Sequence, residues 1–520
     1  MSSLKHLLYQ DYANSSLLDW AKTKRRWAKV LKKVPKNSEI LTAYHQLLKQ
    51  RKIRPNPKLE RSLRIRKVRT LSGVAPLAIM MKPFPCPGKC IYCPQEPGMP
   101  KSYLSDEPAA ARAKKLNFDP RKQLQSRLEQ LKKIGHFPEK LQIIVIGGSF
   151  SAYPEAYKKS FLKAIFEAAN GRPAKTITQA QALNETAKKR IVGLSVETRP
   201  DLITDKEIKL WREYGVTKVQ LGVQTLNEKI NRFTQRGHNV QAVIKTTRKL
   251  RNAGFKINYH LMPNLPGSTP EMDVATAKKI FNKPDFRPDT LKIYPCMVIP
   301  KTKLYQLWQQ GKHKTYTDKT LTEVLLKIKQ LTPPYCRIDR LVRDISRQWT
   351  VAGTLKTNLR QLLKNELQRL NLRCQCIRCR EIKNQESRTK NLKLQTLKYQ
   401  AGGGEECFLQ FIDNQDRLYA LLRLRLPNWQ KNKLLYPVLN KAALIRELQV
   451  FGQQLPLSKK PEKPGVQHKS LGKKLILRAE ALAKKADYQK MAIISGVGVR
   501  GYYRKLGYEL KQTYMVKSLD

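Results

Sequence analysis

Six short apolar runs, most of them followed by a helical pattern, constrain the fold of this chain more than any other feature. Continuous apolar strands that alternate with helices are typical of parallel β/α architecture, because helices cover both faces of such a sheet. Six units predict an incomplete (β/α)6 barrel over residues 73–334. The apolar runs lie at 74–81, 142–146, 191–196, 218–223, 257–262 and 291–294.

Polar or glycine-rich residues come directly after these runs. Barrels of this kind place their chemistry at the carboxyl ends of the strands, so these residues are expected to share one rim. Missing side chains at glycines let the backbone approach a ligand. The predicted rim residues are three cysteines after the first run and, as cofactor-binding candidates after the next three, Gly147, Gly148, Glu197 and Gln224.

The three cysteines Cys86, Cys90 and Cys93 are spaced C-x3-C-x2-C among prolines and glycine, which predicts a loop. Three clustered thiolates suit a 4Fe-4S cluster with one iron left open for a ligand. A zinc knuckle and chance clustering are the alternatives. Zinc favours a fourth local cysteine or histidine, and none follows before His136.

The charge of the chain indicates a polyanionic partner. Lys and Arg number 102 against 40 Asp and Glu, a formal net charge of +62. Such an excess favours nucleic acid, although a generally basic proteome or nonspecific ribosome association are alternatives. Without a long apolar run, no membrane association is expected. Nine cysteines, an odd number and clustered, indicate thiolate ligands in a reducing compartment, so a cytoplasmic location is expected.

Residues 1–72 form a basic region with aromatic residues interspersed. Helices are predicted around Leu17, Trp20 and Trp27, with breaks at prolines. Basic and aromatic side chains together can bind phosphates and stack unpaired bases. The same aromatic residues can instead pack a small helical core beneath a basic surface, and the two interpretations are compatible.

A basic linker is predicted for residues 335–398. Its cysteines Cys374, Cys376 and Cys379 are spaced C-x-C-x2-C, which suits a structural zinc ion. Cys336 and Cys407 are candidate fourth ligands, although neither spacing favours them. Free buried thiols are the alternative.

Residues 399–520 are predicted to form a second, mixed α/β domain. Strands are expected at 407–412, 418–426 and 443–450, followed by a helix at 471–486. The loop that opens this helix, residues 467–473, offers backbone N–H groups to an anion such as a pyrophosphate. The G-x-G-x-x-G match at 496–501 is rejected as a dinucleotide site, because only the chain terminus follows it.

Ordered motifs run through both predicted domains. They include RTLSGVAPLAIMMKPFPCPGKCIYCP, GLSVETRPD, MPNLPGSTPEMD, NLRCQCIRCREI and AIISGVGVRGYYRKLGYEL. Over residues 62–517 these stretches resemble the catalytic subunit of Elongator and its free-standing bacterial and archaeal counterparts. The resemblance implies a radical S-adenosylmethionine barrel fused to a GNAT-type acetyltransferase domain. It also implies conversion of the wobble uridine in the tRNA anticodon stem-loop to 5-carboxymethyluridine, with acetyl-CoA as the carbon source.

The resemblance also implies roles for individual residues. The first three cysteines match the ligands of the 4Fe-4S cluster that holds S-adenosyl-L-methionine. One departure is Ser470, which stands where the family has the first glycine of its pyrophosphate loop. The residues that match acetyl-CoA contacts are Lys140, the pantetheine strand Glu447, Leu448, Gln449 and Val450, the loop Leu471, Gly472 and Lys473, and Tyr503 near the thioester. Tyr503 and the neighbouring Tyr502 are the catalytic candidates, because a tyrosine phenol can hydrogen-bond the thioester or protonate a leaving thiolate. Packing under the final helix is the alternative for Tyr502.

Two alternative functions remain at this point. A protein lysine acetyltransferase would use the barrel as a scaffold, although the basic charge favours an RNA substrate. An RNA-binding protein without catalysis is motivated only by Ser470. The resemblance is compatible with a homodimer and with a free-standing enzyme that needs no accessory subunits.

Overall fold

A computed structural model describes residues 3–14, 20–65, 70, 72–382, 391–430, 434–452 and 470–519. The predictions that involve Leu17 and the loop residues 467–469 fall outside these ranges. In the described ranges, no helix is long and apolar enough to cross a membrane.

The first sheet is a curled parallel sheet of seven strands, which follow one another in chain order. The structure therefore has the predicted barrel, with one strand more than the six predicted. The additional strand contains two arginines and an aspartate among its four residues, so it lacks an apolar run. The strands are β1 Val74–Met80, β2 Lys140–Ile146, β3 Arg190–Thr198, β4 Lys218–Gln224, β5 Lys256–Leu261, β6 Thr290–Ile293 and β7 Arg337–Arg340.

Helices cover the outer face of this sheet. Side-chain caps fix where several of them begin: Thr204 accepts a hydrogen bond from the Glu207 amide, and Asn239 from the Ala242 amide. The helices of this region are α5 Pro108–Lys115, α6 Pro120–Lys133, α7 Glu155–Asn170, α8 Ile177–Thr186, α9 Asp205–Glu213, α10 Glu228–Phe233, α11 Val240–Asn252, α12 Pro270–Asn282, α13 Lys303–Gln309, α14 Asp318–Leu331, α15 Leu359–Arg369 and α16 Ile377–Arg380.

The strands of the first sheet alternate between apolar and polar side chains, whereas the sequence analysis predicts continuous apolar strands. In β4, Val219, Leu221 and Val223 belong to the core that faces the helices. Lys218 and Gln220 instead line a cavity inside the curled sheet. Because strand side chains point alternately to opposite faces, one face is packed by helices and the other encloses a polar interior.

The second sheet also has seven strands, ordered β13-β14-β12-β11-β10-β9-β8. The β11–β12 pair is parallel and the other pairs are antiparallel. Strand β8 begins within the region predicted to be a linker. The strands are β8 Lys393–Gln400, β9 Gly404–Ile412, β10 Leu418–Pro427, β11 Ala442–Val450, β12 Lys490–Ile493, β13 Glu509–Lys511 and β14 Tyr514–Ser518, with helices α17 Leu471–Lys485 and α18 Arg500–Arg504.

Four N-terminal helices pack around a small core of their own. They are α1 Ser3–Asn14, α2 Trp20–Leu31, α3 Asn37–Lys49 and α4 Pro57–Leu63. Trp27 and Tyr44 are fully buried in that core, whereas Tyr9 is exposed. Of the two interpretations offered for these aromatic residues, core packing therefore holds for Trp27 and Tyr44.

The two sheets share one continuous core and a close contact. A side chain on Gly496 would collide with the Val192 carbonyl, and a Cβ on Gly498 would lie 2.5 Å from the Cβ of Arg190. The glycines that resemble a dinucleotide motif thus allow the second sheet to approach the amino end of β3. This contact places the second sheet at the end of the curled sheet opposite the cysteine loop.

Candidate active site

The cysteine loop lies directly after β1, as predicted. Cys90 is buried, and Cys86 and Cys93 are half-buried. The Ile91 amide donates to the Thr234 carbonyl at 3.2 Å, and Lys101 Nζ donates to the Gly88 carbonyl at 2.6 Å. The loop is therefore held on two sides by other parts of the barrel.

The thiols of this loop lie in different electrostatic surroundings. Burial would raise the pKa of Cys90, but the Arg236 guanidinium, with Nη1 at 3.3 Å from Sγ, lowers it below its ordinary value. Burial and the neighbouring Cys90 raise the pKa of Cys93 to about 11. Cys86 Sγ lies 3.9 Å from Ser149 Oγ. Of Cys90 and Cys93, Cys90 is thus the thiol whose anionic form is better stabilised by its protein neighbours.

The arrangement of the three thiols fits an iron–sulfur cluster better than a single metal ion. A single metal ion needs ligand atoms that lie close together. Within the described ranges, the group of three such atoms within 4.8 Å of one another is formed by other cysteines and does not include Cys86, Cys90 or Cys93. A 4Fe-4S cluster attaches its thiolates to separate irons, so they need not converge. The donor set and its setting in a loop thus fit the cluster.

Glu197 lies at the end of β3, close to the cysteine loop and inside the sheet. Its carboxylate accepts hydrogen bonds from Lys292 Nζ at 2.7 Å and from the Tyr103 hydroxyl at 2.8 Å. Burial would raise the pKa of Glu197, but Lys292 and nearby His260 lower it to about 2. Burial and Lys292 lower the pKa of His260 to about 3. Glu197 is therefore an anion, and His260 a neutral imidazole, near neutral pH.

The other predicted rim residues occupy backbone turns at the strand ends. Gly147 and Gly148 follow β2 with φ of +126° and +99°, which only glycine adopts readily. A Cβ on Gly147 would lie 3.1 Å from the Met81 amide nitrogen. Gln224 ends β4 with φ of +67°, and its Oε1 is buried without a hydrogen-bond partner among the described residues. The structure thus brings the predicted rim residues together around one opening.

A cavity of about 580 Å³ extends from this rim through the inside of the curled sheet. Cys86 and Cys90 line one part of it, and Glu447 and Gln449 of β11 line another. Its wall is therefore built by both sheets.

Ion pairs line the interior of this cavity, and the sequence analysis predicts neither pair, although it names Glu447 for a different role. Lys218 Nζ lies 2.7 Å from Asp339 Oδ2, and Lys256 pairs with Glu447. These residues come from strands far apart in sequence, so no local motif marks them. The only local signal is a polar residue at every second position, as in Lys218 and Gln220 of β4.

The predicted pantetheine strand and the predicted pyrophosphate loop lie together on the second sheet. The β11–β12 register ends at Ile445 and Ile493, where β12 ends, and β11 continues to Val450. A Cβ on Gly472 would lie 3.1 Å from the Tyr502 hydroxyl and 3.8 Å from side-chain carbons of both Leu448 and Val450. Four of the predicted acetyl-CoA residues therefore surround one small space at the start of α17.

The remaining predicted acetyl-CoA residues differ in accessibility. Lys473 is exposed, and Leu471 is buried. Tyr503 is buried between Tyr502 and Tyr508, with ring centroids 5.3 and 6.2 Å away, whereas Tyr502 is 42% exposed. Ser470 has φ of +54°, a left-handed conformation that suits the glycine of related loops.

Lys140 begins β2, at the end of the curled sheet opposite the cysteine loop. Burial, followed by the charge of Arg190, lowers the pKa of its amine.

Glu447 of the predicted pantetheine strand forms ion pairs with Lys256 and with Arg423, whose Nε donates to its carboxylate at 2.7 Å. Its carboxylate therefore joins the two sheets.

Three cysteines in the linker region form the converging group mentioned above. The Sγ atoms of Cys374, Cys376 and Cys379 all lie within 4.8 Å of one another. Lys329 Nζ lies 3.5 Å from Cys379 Sγ. Neither Cys336 nor Cys407 belongs to this group, so the described residues supply three thiols for a metal ion.

Two family models match the first part of the chain. The Radical SAM superfamily model matches residues 85–280, and the Radical_SAM C-terminal domain model matches residues 288–369. The first match includes Cys86, Cys90 and Cys93, and the second ends before the converging cysteines.

Curated relatives match the chain over most of its length. A tRNA uridine(34) acetyltransferase from Dehalococcoides mccartyi (strain CBDB1) is 43% identical over 87% of this chain and 99% of that protein. The Methanocaldococcus jannaschii protein of the same name is 42% identical over 94% of this chain and 91% of its own length. Elongator complex protein 3 of Homo sapiens is 37% identical over 88% of this chain and 86% of that protein.

A solved structure agrees with the fold. The archaeal Methanocaldococcus infernus Elp3 with an N-terminal deletion superposes with a TM-score of 0.74 at 39% identity, covering 86% of this chain and all of that one. The similarity therefore includes both sheets.

Proposed function

Because this chain belongs to the family of the tRNA uridine(34) acetyltransferases and Elongator complex protein 3, we propose that it modifies the wobble uridine of tRNA. The proposed product is 5-carboxymethyluridine, with acetyl-CoA as the source of the two added carbons. The enzyme is thus an acyltransferase of the radical S-adenosylmethionine type.

The single observation that carries this proposal is the cavity shared by the two sheets. Cysteine-loop residues line the same cavity as Glu447 and Gln449 of β11, the strand whose Leu448 and Val450 face the start of α17. A reaction that joins an acetyl-derived carbon to a base by radical chemistry needs the two sites to be connected, and β11 is the strand that contributes to both. A protein acetyltransferase with a scaffold barrel would not need that connection.

The cysteine loop is the proposed site for the cofactors. A bound 4Fe-4S cluster with S-adenosylmethionine supplies a carbon-centred radical. Cys86, Cys90 and Cys93 would hold the cluster. The paired charges of Glu197 and Lys292 present fixed hydrogen-bonding groups beside it, and the neutral His260 adds no charge. The glycine turn after β2 leaves room at the rim.

The start of α17 is the proposed acetyl-CoA site, in a domain proposed to be of the GNAT type. Amides at a helix N-terminus favour a pyrophosphate, and Lys473 adds an exposed positive charge. The absence of a side chain at Gly472 brings the start of the helix close to Leu448 and Val450 of the proposed pantetheine strand. Tyr502 is better placed than the buried Tyr503 to donate a hydrogen bond there.

The proposed division of the chain follows from these sites. Residues 1–72 would bind the tRNA, residues 73–334 would form the radical barrel, and residues 399–520 the acetyl-CoA domain. The intervening segment 335–398 would hold a zinc ion at Cys374, Cys376 and Cys379, although β7 and β8 extend both sheets into it.

An anaerobic reconstitution tests the proposal. The holoenzyme is incubated with tRNA, acetyl-CoA, S-adenosylmethionine and a one-electron reductant, and the tRNA nucleosides are analysed by mass spectrometry. We expect 5-carboxymethyluridine at the wobble position, and none when Cys90→Ala replaces the parent. Unmodified tRNA from enzyme with full iron content would refute the proposal. Acetylation of a protein substrate instead would support a lysine acetyltransferase.

A further inference from the structure

A buried arginine without a carboxylate partner contacts the cysteine loop. Arg236 is 7% exposed; its Nη1 donates to Cys90 Sγ at 3.3 Å and its Nη2 to the Gly222 carbonyl at 2.5 Å. Its Nε has no hydrogen-bond partner among the described residues. Within the described residues, no carboxylate oxygen lies within 4.0 Å of the Arg236 guanidinium.

A buried cation of this kind calls for a compensating negative charge. Removing one charge from water costs several kcal/mol unless an opposite charge compensates it. The cysteine thiolates supply part of that charge. A cluster held by three thiolates is anionic overall, and it gains one more negative charge on reduction. The position of Arg236 is therefore suited to stabilising the reduced form.

A second arginine touches the same loop. Arg199 is 5% exposed and donates from Nε and Nη2 to Asp201 at 3.1 and 2.8 Å. Its Nη1 is buried without a hydrogen-bond partner among the described residues. A Cβ on Gly88 would collide with this Nη1 and lie 3.6 Å from Cys86 Sγ. Because Asp201 balances part of its charge, Arg199 is expected to act more weakly than Arg236.

Other charged groups near the loop are paired, neutral or only half-buried. Arg343 pairs with Glu107, with Nη2 at 2.7 Å from Oε1. Lys101 donates to the Gly88 carbonyl and is only half-buried, so water screens its charge more than that of the buried Arg236. His238 has a pKa lowered to about 3 by burial and by Arg236, so it adds no charge. Arg236 is thus the dominant uncompensated charge at the loop in the described residues.

We propose that Arg236, assisted by Arg199, is a positioning residue that raises the reduction potential of the iron–sulfur cluster. Hydrogen bonds to sulfur and adjacent positive charge favour the form that carries the additional electron. That electron comes from an external low-potential donor, and no bond is formed or broken in the step. The proposal rests on the cluster that the family implies and is independent of the identity of the tRNA product.

A redox titration of reconstituted holoenzyme tests the proposal. The parent, Arg236→Gln, Arg236→Lys and Arg199→Gln are titrated with dithionite and followed by electron paramagnetic resonance, without tRNA, acetyl-CoA or S-adenosylmethionine. For Arg236→Gln we expect at least a tenfold lower ratio of reduced to oxidised cluster at a fixed potential, about 59 mV for one electron. Arg236→Lys should lie between this variant and the parent, and Arg199→Gln should shift less in the same direction.

A matched control separates this effect from a general loss of charge. Arg232→Gln removes the same charge from an exposed position in α10, four residues before Arg236, and should leave the potential unchanged. The iron content of each variant is measured alongside.

An unchanged potential in Arg236→Gln at full iron content would overturn the proposal. If Arg236→Gln cannot hold iron, parent potentials in both Arg236→Lys and Arg199→Gln would refute the proposal. Failure to carboxymethylate tRNA leaves this measurement unaffected, so the two proposals fail separately.

Discussion

Glu197 illustrates how single residues in this enzyme depend on partners from distant strands. Its carboxylate is buried with Lys292 of β6 and the Tyr103 hydroxyl, and its pKa is lowered to about 2. Because the carboxylate of the unfolded chain titrates near pH 4.5, the unfolded state binds more protons than the folded state between these values. Stability from this group is complete above pH 4.5 and is lost as the pH falls toward 2.

The Glu197→Gln variant should lose this pH dependence. At neutral pH we expect it to be less stable, because Lys292 keeps a buried charge without its carboxylate. As the pH falls to about 2, the difference from the parent should shrink by roughly 3 kcal/mol, at about 1.4 kcal/mol per pKa unit. Urea unfolding of the apo-chain at several pH values measures it. Exposed Glu129→Gln is the control, and a difference that does not change with pH would contradict the prediction.

The sequence predicts some residues of the site and not others, for a physical reason. Cys86, Cys90 and Cys93 are recognisable because a loop ligand set is local in sequence. Arg236 and Lys292 act through contacts across the barrel, so their roles emerge only once the strands are placed. Tyr502 and Tyr503 are adjacent in sequence, and only the structure decides which one is exposed.

At the scale of elements, α2 presents a basic surface above a buried face. Trp27 packs into the helical core, while Arg25 and Arg26 are exposed. Lys24 donates to Asn37 at 2.9 Å, and Arg26 pairs with Asp11. Arg25 is thus the residue of this group most available to a phosphate.

Neutralising Lys24, Arg25 and Arg26 to Gln should weaken tRNA binding and its salt dependence. If all three contact phosphates, the slope of log K against log salt should become shallower by about 2. Filter binding or fluorescence anisotropy over a salt series measures the slope. The control neutralises three exposed lysines of the second domain: Lys484 and Lys485 at the end of α17, and Lys505 directly after α18. A slope equal to that of the parent would remove α2 from the interface.

The three converging thiols predict a metal at the short helix α16. Cys374→Ala should lower the zinc content by about one ion per chain, because three thiols are all that the described residues supply. Inductively coupled plasma mass spectrometry measures the content. Cys407→Ala, which removes a buried thiol outside the group, should retain zinc. Full zinc in Cys374→Ala would refute the assignment.

The elements themselves were predictable where a long periodic pattern exists. The six apolar runs correspond to β1 through β6, and the predicted helix at 471–486 corresponds to α17. The sequence pattern places β7 and most of β8 in a linker. Arg337–Arg340 is short and charged, and Lys393–Gln400 is a largely exposed edge strand, so neither has an apolar run. Their place is set by pairing with neighbouring strands, which a linear pattern does not reveal.

At the scale of the whole molecule, a buried ionic network joins the two sheets. Asp289, just before β6, accepts hydrogen bonds from Arg446 Nη1 at 2.9 Å and Nη2 at 2.6 Å. Arg446 also donates to Glu406 of β9 at 2.8 Å. These three side chains are fully buried or nearly so. The interface is therefore held by charges as well as by the shared apolar core.

Asp289→Asn should destabilise the folded chain by about 3–5 kcal/mol, because Arg446 would keep a buried charge with less compensation. The nearby Arg423 and Arg251 add further positive charge. Urea unfolding at neutral pH measures the free energy, with Asp285→Asn, at a partly exposed position, as the control. A loss below about 1 kcal/mol would show that the network is compensated by other groups.

The burial of this interface has a practical consequence for handling the enzyme. Salt weakens exposed charge pairs strongly and buried pairs much less. A wash at high ionic strength should therefore strip adventitious RNA from the basic surface while the two sheets stay joined. Contaminating nucleic acid can thus be separated from the intact two-domain protein on one column.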